Sequence, residues 1–321
     1  MSLYLVTGAA GFIGSNLART LLARGEKVRG VDNFSTGKRL NLDDIGSMEF
    51  LEGDINDAAL MKRACTGVDY VLHEAALPSV PRSVKDPVSC NDACLNGTLS
   101  VLLAAREAGV RRVVYAGSSA AYGDTPTLPK HEEMLPKPIS PYAVAKLAGE
   151  YYLQSFWRVY GLETVTLRYF NVFGPHQDPT SFYSGVLAKF ITLMLRGEQP
   201  TIFGDGEQSR DFTYIDNVVE ANLLACTAVR DKVAGGVFNA ATGYRATLNE
   251  TFHILCELTN YKGTPAYAEY REGDIKDSLA DISRARRSLG YEPKVNFRDG
   301  LRRTVDWYKK QPAEALSASS K

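Results

Sequence analysis

Apolar positions along the first half of the chain fall into two alternating kinds of segment. Short continuous apolar runs, typical of strands buried on both faces, recur between longer stretches with a helical period of apolar residues. The short runs predict strands at residues 3–6, 27–31, 48–52, 68–72, 112–117 and 163–168. The longer stretches predict helices at residues 12–24, 57–65, 88–108 and 141–160. This alternation predicts an α/β fold with a doubly wound parallel sheet.

The alternation becomes irregular after residue 168, where a long loop at 171–183 follows the last of these strands. The remaining elements that the pattern predicts are helices at 184–195, 216–229, 248–258 and 299–309, and strands at 201–203 and 236–240. Such a break is typical of a second, smaller α/β lobe interleaved with the first. The expected division is a sheet domain at 1–171 and 213–242, a second domain at 172–212 and 243–312, and a flexible tail at 313–321.

The charge balance and the cysteines exclude several kinds of protein. The 321 residues carry 37 Lys and Arg against 37 Asp and Glu, so no overall field attracts nucleic acid or an anionic membrane, and we expect neither partner. The five cysteines form no Cys-x-x-Cys pair, which favours a reducing, cytoplasmic location without a metal site. The N-terminus lacks a basic signal-peptide region, and no apolar run reaches the ~18 residues of a membrane span.

Three glycines follow the first predicted strand in the spacing Gly8-x-x-Gly11-x-x-Gly14, directly before a predicted helix. Glycines let the backbone approach a pyrophosphate closely, and a helix N-terminus presents free N–H groups to it. Asp32 ends the second predicted strand, close to the ~20 residues after the glycines where a carboxylate binds the adenosine ribose. Because this carboxylate would repel a 2′-phosphate, the pattern favours NAD over NADP.

Tyr142 and Lys146 lie one turn apart in a predicted helix that opens with Ser140 and Pro141, a pair typical of a helix N-terminus. An ammonium group beside a phenol favours the phenolate. Lowering the tyrosine pKa from ~10 to about 7 would require ~4 kcal/mol and would make Tyr142 a base at neutral pH. The alternative is an ordinary exposed pair of helical side chains.

Two serines and two arginines add to the candidate chemistry. Ser118 and Ser119 follow a predicted strand at the sheet edge where ligands bind, and they either hydrogen-bond a substrate oxygen or satisfy loop backbone. Arg210 and Arg271 lie in loops of the second lobe, and a guanidinium pairs with phosphate through two hydrogen bonds. His73 also ends a strand, and we expect it to be structural.

The helix predicted at 141–160 carries a stripe of aromatic side chains, Tyr151, Tyr152, Phe156 and Trp157. A stripe of this kind is usually buried against another surface. Together with the helix at 88–108 it would form a two-fold, four-helix interface in a homodimer. Core packing within one subunit is the alternative.

Taken together, these motifs resemble the extended short-chain dehydrogenase/reductase family and, within it, the nucleotide-sugar 4-epimerases. The resemblance covers nearly the whole chain and also rests on the motifs Asp54-Ile55, Arg168-Tyr169-Phe170-Asn171, Arg210-Asp211-Phe212 and Arg271-x-Gly273-Asp274. It implies a Rossmann domain that holds NAD permanently and a smaller domain that binds a UDP-sugar.

The resemblance also implies a role for individual residues. Tyr142 would take the proton of the sugar 4-hydroxyl, Lys146 would bind the nicotinamide ribose and lower the tyrosine pKa, and Ser118, or else Ser119, would hydrogen-bond the same oxygen. The residues implied for NAD are Gly8, Gly11, Phe12, Ile13, Asp32, Asn33, Ser35, Gly37, Asp54, Ile55, Ala75, Ala76, Tyr142, Lys146 and Tyr169. Those implied for the UDP-sugar are Ser79, Ser118, Asn171, Val186, Phe203, Arg210, Arg271, Asp274 and Ser278. Among them Asn171, Arg210 and Arg271 would bind the diphosphate, Asp274 the uridine ribose, and the span 186–203 the uracil.

Three departures from related enzymes narrow the expected substrate. Ala120 follows Ser119 where the 4,6-dehydratases of the family carry an Asp-Glu pair, so no acid is present to eliminate water. Asp178 stands where enzymes acting on UDP-glucuronate tend to carry an arginine, and it would repel a C6 carboxylate. Ser278 stands where epimerases restricted to UDP-glucose and UDP-galactose carry a bulky tyrosine, and the smaller serine leaves room for an N-acetyl group on C2 of the sugar. The resemblance is therefore closest to UDP-N-acetylglucosamine 4-epimerases, with a UDP-glucose 4-epimerase and a non-catalytic NAD sensor as alternatives.

Overall fold

The computed structural model describes residues 1–179, 185–270 and 275–312. Its centre is a sheet of seven parallel strands in the order β7-β6-β5-β4-β1-β2-β3. The strands are β1 (Leu3–Thr7), β2 (Lys27–Asp32), β3 (Glu49–Glu52), β4 (Tyr70–His73), β5 (Arg112–Ser118), β6 (Glu163–Tyr169) and β7 (Gly236–Ala240). The predicted doubly wound parallel sheet is confirmed, including β7, which returns to the sheet from the second half of the chain.

Helices cover both faces of the sheet. The helices are α1 (Phe12–Ala23), α2 (Ala58–Cys65), α3 (Val80–Lys85), α4 (Pro87–Asn91), α5 (Gly97–Glu107), α6 (Pro141–Tyr160), α7 (Val186–Leu195), α8 (Ile215–Thr227), α9 (Arg230–Val233), α10 (Leu248–Thr259), α11 (Ser283–Leu289) and α12 (Phe297–Tyr308). One face packs against α1 and α8, and the other against α2, α5 and α6. The central strands β1, β4 and β5 are therefore buried on both faces, which explains their continuous apolar runs, whereas the edge strand β3 contains no fully buried residue.

The helix predicted at 88–108 is not regular. It consists of α4 and α5 joined by a π-helical turn at Asp92–Asn96. The extra residue of a π turn changes the face that later side chains present, and the apolar period alone does not show such a turn. The short α3 was also not predicted. Ser79 caps it by accepting a hydrogen bond from the backbone nitrogen of Arg82.

Helix α6 begins as its sequence predicts. The Ser140 hydroxyl accepts a hydrogen bond from the Ala143 nitrogen at 3.2 Å, and Pro141 occupies the first helical position. The helix ends at Gly161, which has a φ of +72°. This start places Tyr142 in the first turn and Lys146 one turn further on, both at the carboxyl edge of the sheet.

The second lobe contains α7, α10 and α12 and three pairs of short strands. The pairs are Val172–Phe173 with Thr213–Tyr214, Ser209–Arg210 with Ala246–Thr247, and Thr201–Phe203 with Ala266–Ala268. Phe173, Phe212 and Phe297 pack together between the lobes, with the rings of Phe212 and Phe297 stacked at 5.2 Å. This aromatic contact belongs to the same core as α1 and α8, so the two lobes form one packed body.

Candidate active site

Two adjoining cavities lie at the carboxyl edge of the sheet. The larger, with a volume of about 800 Å³, extends from the glycine loop past the ends of β2, β4 and β5 to Tyr142 and Lys146. The smaller, of about 250 Å³, lies in the second lobe beside α7. Asn171, Val172, Gln177 and Gly185 line both. A ligand with two ends can therefore extend from one lobe into the other.

The glycine loop has no room for side chains. Gly8 has a φ of +69°, and a Cβ added there would lie 2.8 Å from the backbone nitrogen of Ala75. A Cβ on Gly14 would lie 2.1 Å from the carbonyl oxygen of Gly8. Gly11 precedes α1 and no side chain caps that helix, so its first N–H groups remain available to a ligand. This cradle fits a dinucleotide pyrophosphate.

Asp32 lines the larger cavity at the end of β2, where the adenosine ribose is expected. Its two carboxylate oxygens accept hydrogen bonds from the backbone nitrogens of Ala10 (2.9 Å) and Phe34 (2.7 Å). Burial raises the pKa of this carboxyl above its ordinary value, while the backbone N–H groups lower it. Nearby, Asp54 accepts a hydrogen bond from the Asn33 side chain at 2.8 Å. These carboxylates lie where two hydroxyls of a ribose would find acceptors.

The residues expected to bind NAD are nearly all brought to one surface. Those that line the larger cavity are Gly8, Gly11, Phe12, Ile13, Asp32, Asn33, Ser35, Asp54, Ile55, Ala75, Ala76, Tyr142, Lys146 and Tyr169. Gly37 does not line it. A Cβ on Gly37 would lie 2.9 Å from Asp32 Oδ2, so this glycine shapes the loop that holds the carboxylate.

Tyr142, Lys146 and Ser118 meet at the inner end of the larger cavity. Ser118 lines the cavity beside Tyr142 and acts to lower the pKa of its hydroxyl, and Ser119 lines the same wall. Lys146 is 3% exposed, and its Nζ lies 4.2 Å from the centre of the Tyr115 ring. The three side chains expected to perform proton transfer are therefore adjacent.

The pKa of Tyr142 does not follow the simple expectation. Burial raises the pKa of Tyr142 to about 12, although the Lys146 charge and the Ser118 side chain both act to lower it. The spacing of Tyr142 and Lys146 indicates the favourable charge of the ammonium group, but it does not show the loss of solvent around Tyr142, which disfavours a charged phenolate. A further positive charge is therefore needed before Tyr142 becomes a base near neutral pH.

His73 links strands to a helix below this site. Thr98 donates to the carbonyl oxygen of Cys94 at 2.6 Å, so it accepts from His73 Nε2 at 3.0 Å. His73 Nδ1 then accepts from the Thr7 hydroxyl at 2.7 Å. Burial lowers the pKa of His73 to about 3. With both ring nitrogens occupied and no charge at neutral pH, His73 has a structural role.

The smaller cavity collects residues expected to hold the nucleotide. Val186, Phe203 and Arg210 line it, and one guanidinium nitrogen of Arg210 donates to the carbonyls of Ser209 and Lys276 at 2.9 and 2.8 Å. Arg271 and Asp274 lie outside the described residues.

Ser278 does not line either cavity among the described residues, and its role is indirect. Asn171, which has a φ of +32°, donates from its amide to Ser278 Oγ and to the Asp211 carbonyl, each at 3.1 Å. Ser278 Oγ also accepts from the Asp211 nitrogen at 3.3 Å. Ser278 therefore supports Asn171 from behind, and Asn171 faces both cavities.

Several cavity residues were missed by the sequence reasoning, although Ser79, which it named, is on the wall. Those missed include Lys38, Glu74, Arg82 and Gln177. The Lys38 ammonium lies 2.8 Å from Asp178 Oδ2, so the carboxylate expected to repel an acidic sugar is itself paired with a cation. Glu74 directly follows β4, and that position at a strand end was the available signal.

The part of the chain that the structure describes contains neither a metal-ligand cluster nor a membrane-spanning helix. It contains no group of three His, Cys, Asp or Glu side chains arranged to hold a metal ion. Within residues 1–179, 185–270 and 275–312, no helix has the length and hydropathy needed to cross a membrane.

Comparison with known proteins agrees with this geometry. The UDP-glucose 4-epimerase of Mycolicibacterium smegmatis is 39% identical over 318 residues, which cover 95% of this chain and 98% of that protein. A crystal structure of UDP-glucose 4-epimerase with UDP-glucose from Thermotoga maritima is 42% identical, with a TM-score of 0.91 and coverage of 96% of this chain and 99% of that one.

A second solved structure is similar to the same extent. UDP-N-acetylglucosamine 4-epimerase from Methanobrevibacter ruminantium, in complex with UDP-N-acetylmuramic acid, is 40% identical, with a TM-score of 0.92 and coverage of 97% and 99%. Residues 4–241 match the sequence model of the NAD dependent epimerase/dehydratase family. The chain therefore belongs to the NAD dependent epimerase/dehydratase family, and its cofactor is NAD.

Proposed function

We propose that this protein is a UDP-hexose 4-epimerase that interconverts UDP-GlcNAc and UDP-GalNAc and also accepts UDP-glucose and UDP-galactose. One observation carries the proposal: Tyr142 lies with Ser118, and one turn from Lys146, in the large cavity that adjoins the smaller one. A nucleotide sugar in the smaller cavity would extend its sugar toward this hydroxyl pair. The similar proteins named above are epimerases of UDP-sugars.

In this proposal Ser118 and Tyr142 bind the oxygen on C4 of the sugar, and Tyr142 takes its proton. When bound, NAD supplies the hydride acceptor for C4 and a positive ring that favours the phenolate. Lys146 contributes the second positive charge, and its charge already acts to lower the pKa of Tyr142. The neutral 4-keto sugar then rotates within the cavity so that C4 presents its other face. Tyr142 returns the proton to the oxygen as C4 is reduced on that face.

The proposed preference for an acetylated sugar rests on Ser278 and Asn171. Because residue 278, behind Asn171, is a small serine, no ring at that position fills the junction of the two cavities. The pairing of Asp178 with Lys38 leaves no free cation at that position for a C6 carboxylate. UDP-glucose and UDP-galactose as the main substrates are the competing assignment, supported by the names of similar proteins.

We further infer that the protein forms a homodimer through α4, α5 and α6. Several large apolar side chains on these helices are exposed in the single chain: Val88, Leu103, Val144, Tyr151, Tyr152 and Val159. Helices α4 and α5 pack against α6, so these side chains lie on one helical layer that a second copy would cover by two-fold symmetry. Sedimentation equilibrium tests this, and a monomer at micromolar concentration would contradict it.

We also propose that the two domains bind different ligands, with NAD in residues 1–171 and 213–242 and the UDP-sugar in 172–212 and 243–312.

The central experiment incubates the holoenzyme separately with UDP-GlcNAc, UDP-glucose and UDP-glucuronate and follows the anomeric protons by NMR. We expect epimerisation of the first two and none of the third. A kcat/KM that strongly favours the non-acetylated sugar would overturn the substrate assignment, and the absence of any epimer would overturn the reaction.

A further inference from the structure

Glu74 is half-buried, and only one of its two carboxylate oxygens has a hydrogen-bond partner among the described residues. Its Oε1 accepts a hydrogen bond from the Tyr169 hydroxyl at 2.8 Å, and the Asn222 amide donates to that hydroxyl at 2.8 Å. Its Oε2 is shielded from solvent and has no hydrogen-bond partner among the described residues. A buried carboxylate oxygen without a partner is costly, so such a group calls for a partner that the protein alone does not supply.

The position of Glu74 identifies the part of the ligand that it faces. Glu74 lines the larger cavity at the end of β4, and a Cβ added to Gly8 would lie 3.1 Å from the Glu74 carbonyl carbon. The Lys146 charge acts on the Glu74 carboxyl and lowers its pKa. Glu74 therefore lies between the pyrophosphate cradle and the Tyr142–Lys146 pair. Because proton and hydride leave the same C–O unit, the redox-active ring must lie beside Tyr142.

The charge of that ring is the only large difference between the two forms of the cofactor. NAD⁺ carries a positive nicotinamide, whereas the dihydronicotinamide of NADH is neutral. Burial raises the pKa of Glu74 to about 7, so the group is close to balance between its two protonation states. A cation placed near Oε2 shifts that balance to the carboxylate, and the carboxylate in turn stabilises the cation.

We propose that Oε2 of Glu74 faces the nicotinamide end of bound NAD and that its negative charge makes the protein bind NAD⁺ more tightly than NADH. Glu74 then holds the resting protein in its oxidised form. This goes beyond the proposed reaction, in which NAD is only required to be present. An enzyme that must return a hydride in every turnover stalls if its reduced cofactor is too stable.

The test measures the ratio of NAD⁺ to NADH affinity in the full-length holoenzyme, from the reduction potential of its bound cofactor compared with that of free NAD. Glu74→Gln keeps the shape and an oxygen for Tyr169 but removes the charge. We expect the preference for NAD⁺ over NADH to fall at least about tenfold, equal to ~30 mV for a two-electron couple. A ratio within roughly twofold of the wild type would overturn the proposal.

Asp54→Asn is the matched control, because it removes a carboxylate from the adenosine end of the same cavity. The adenosine half is identical in both cofactor forms, so this variant should weaken both equally. Glu74→Leu is the second variant in case Glu74→Gln folds poorly. Tyr169 can then donate to Asn222 Oδ1, which lies 3.1 Å away, and the NAD⁺ preference should fall in the same way.

A second measurement uses the holoenzyme. On incubation with UDP-GlcNAc, Glu74→Gln should accumulate NADH fluorescence that the wild type does not. This measurement rests on the proposed epimerase function, whereas the affinity ratio does not. A changed ratio without NADH accumulation therefore contradicts the epimerase proposal, and an unchanged ratio contradicts the role of Glu74.

Discussion

The two parts of the cleft, which we assign to the cofactor (the cofactor half) and to the substrate (the substrate half), are built in different ways. In the cofactor half, the ends of neighbouring parallel strands bring Gly8, Asp32 and Glu74 together, because the sheet register aligns them. In the substrate half, Asn171 and Ser278 meet although 107 residues separate them, and neither lies in a strand of the central sheet. A regular sheet therefore places ligand groups through short motifs, whereas the second lobe does so only through its particular loop packing.

Tyr142→Phe separates binding in both halves from the chemistry between them. Removing the hydroxyl removes proton transfer, which contributes about 10²–10⁴-fold to a rate. We therefore expect kcat to fall by about that factor while NAD and UDP-sugar still bind. Single-turnover NMR measures the first effect and calorimetry the second. Turnover at the wild-type rate would show that another group is the base.

Gly14→Ala should weaken NAD binding in the cofactor half and leave the substrate half unchanged. The added methyl would lie 2.1 Å from the Gly8 carbonyl oxygen, a contact that forces the loop to move. We expect the Kd for NAD to rise at least roughly 100-fold, about 2.7 kcal/mol. Gly46→Ala is the control, since a Cβ there meets nothing within 4 Å. Equal NAD content in the two purified variants would contradict the cradle.

Ser278→Tyr should change substrate preference through the substrate half and leave NAD binding unchanged. The ring would displace Asn171, whose amide now bonds Ser278 Oγ at 3.1 Å, and would narrow the junction of the cavities. We expect kcat/KM for UDP-GlcNAc to fall about tenfold relative to UDP-glucose, or ~1.4 kcal/mol. Ser278→Ala, which adds no bulk, should leave the ratio of the two substrates unchanged. NAD content serves as the check that the cofactor half is intact.

The raised pKa of Glu74 in the cofactor half predicts a pH dependence of the free energy of unfolding. Burial raises its pKa from 4.5 to about 7, so the folded chain holds this proton more tightly than the unfolded chain. The stabilisation is complete below the unfolded pKa and is lost as the pH rises through the folded one. Urea unfolding of the cofactor-free wild type should lose about 1–2 kcal/mol from this group between about pH 5.5 and 7.

The corresponding control is Glu74→Gln, which cannot titrate. His73 has a lowered pKa and gives a slope of the opposite sign as the pH falls below its ordinary value, so only the difference between the two proteins isolates Glu74. That difference should change with pH in this window. A constant difference would show that Glu74 ionises alike in the folded and unfolded chain.

The seven strands and most helices followed from local pattern, because the central strands, buried on both faces, are apolar nearly throughout and alternate with helical segments. The π-helical turn at Asp92–Asn96 did not, since one extra residue leaves the apolar period nearly unchanged. In the cleft, the structure brings Tyr142, Lys146 and the glycine loop, all named from the sequence, to one cavity, but the spacing of Tyr142 and Lys146 does not show that the protein alone raises the pKa of Tyr142. The missing quantity was burial, which depends on neighbours distant in the chain.

The amino-acid sequence alone predicted the sheet, the glycine loop and the candidate reacting groups, because each depends on residues close together along the chain. The tertiary structure decided which groups lie next to one another and how far water is excluded from them. It paired Asn171 with Ser278 and Lys38 with Asp178, and it left one oxygen of Glu74 without a partner. The strength of a charge or hydrogen bond depends on that exclusion of water.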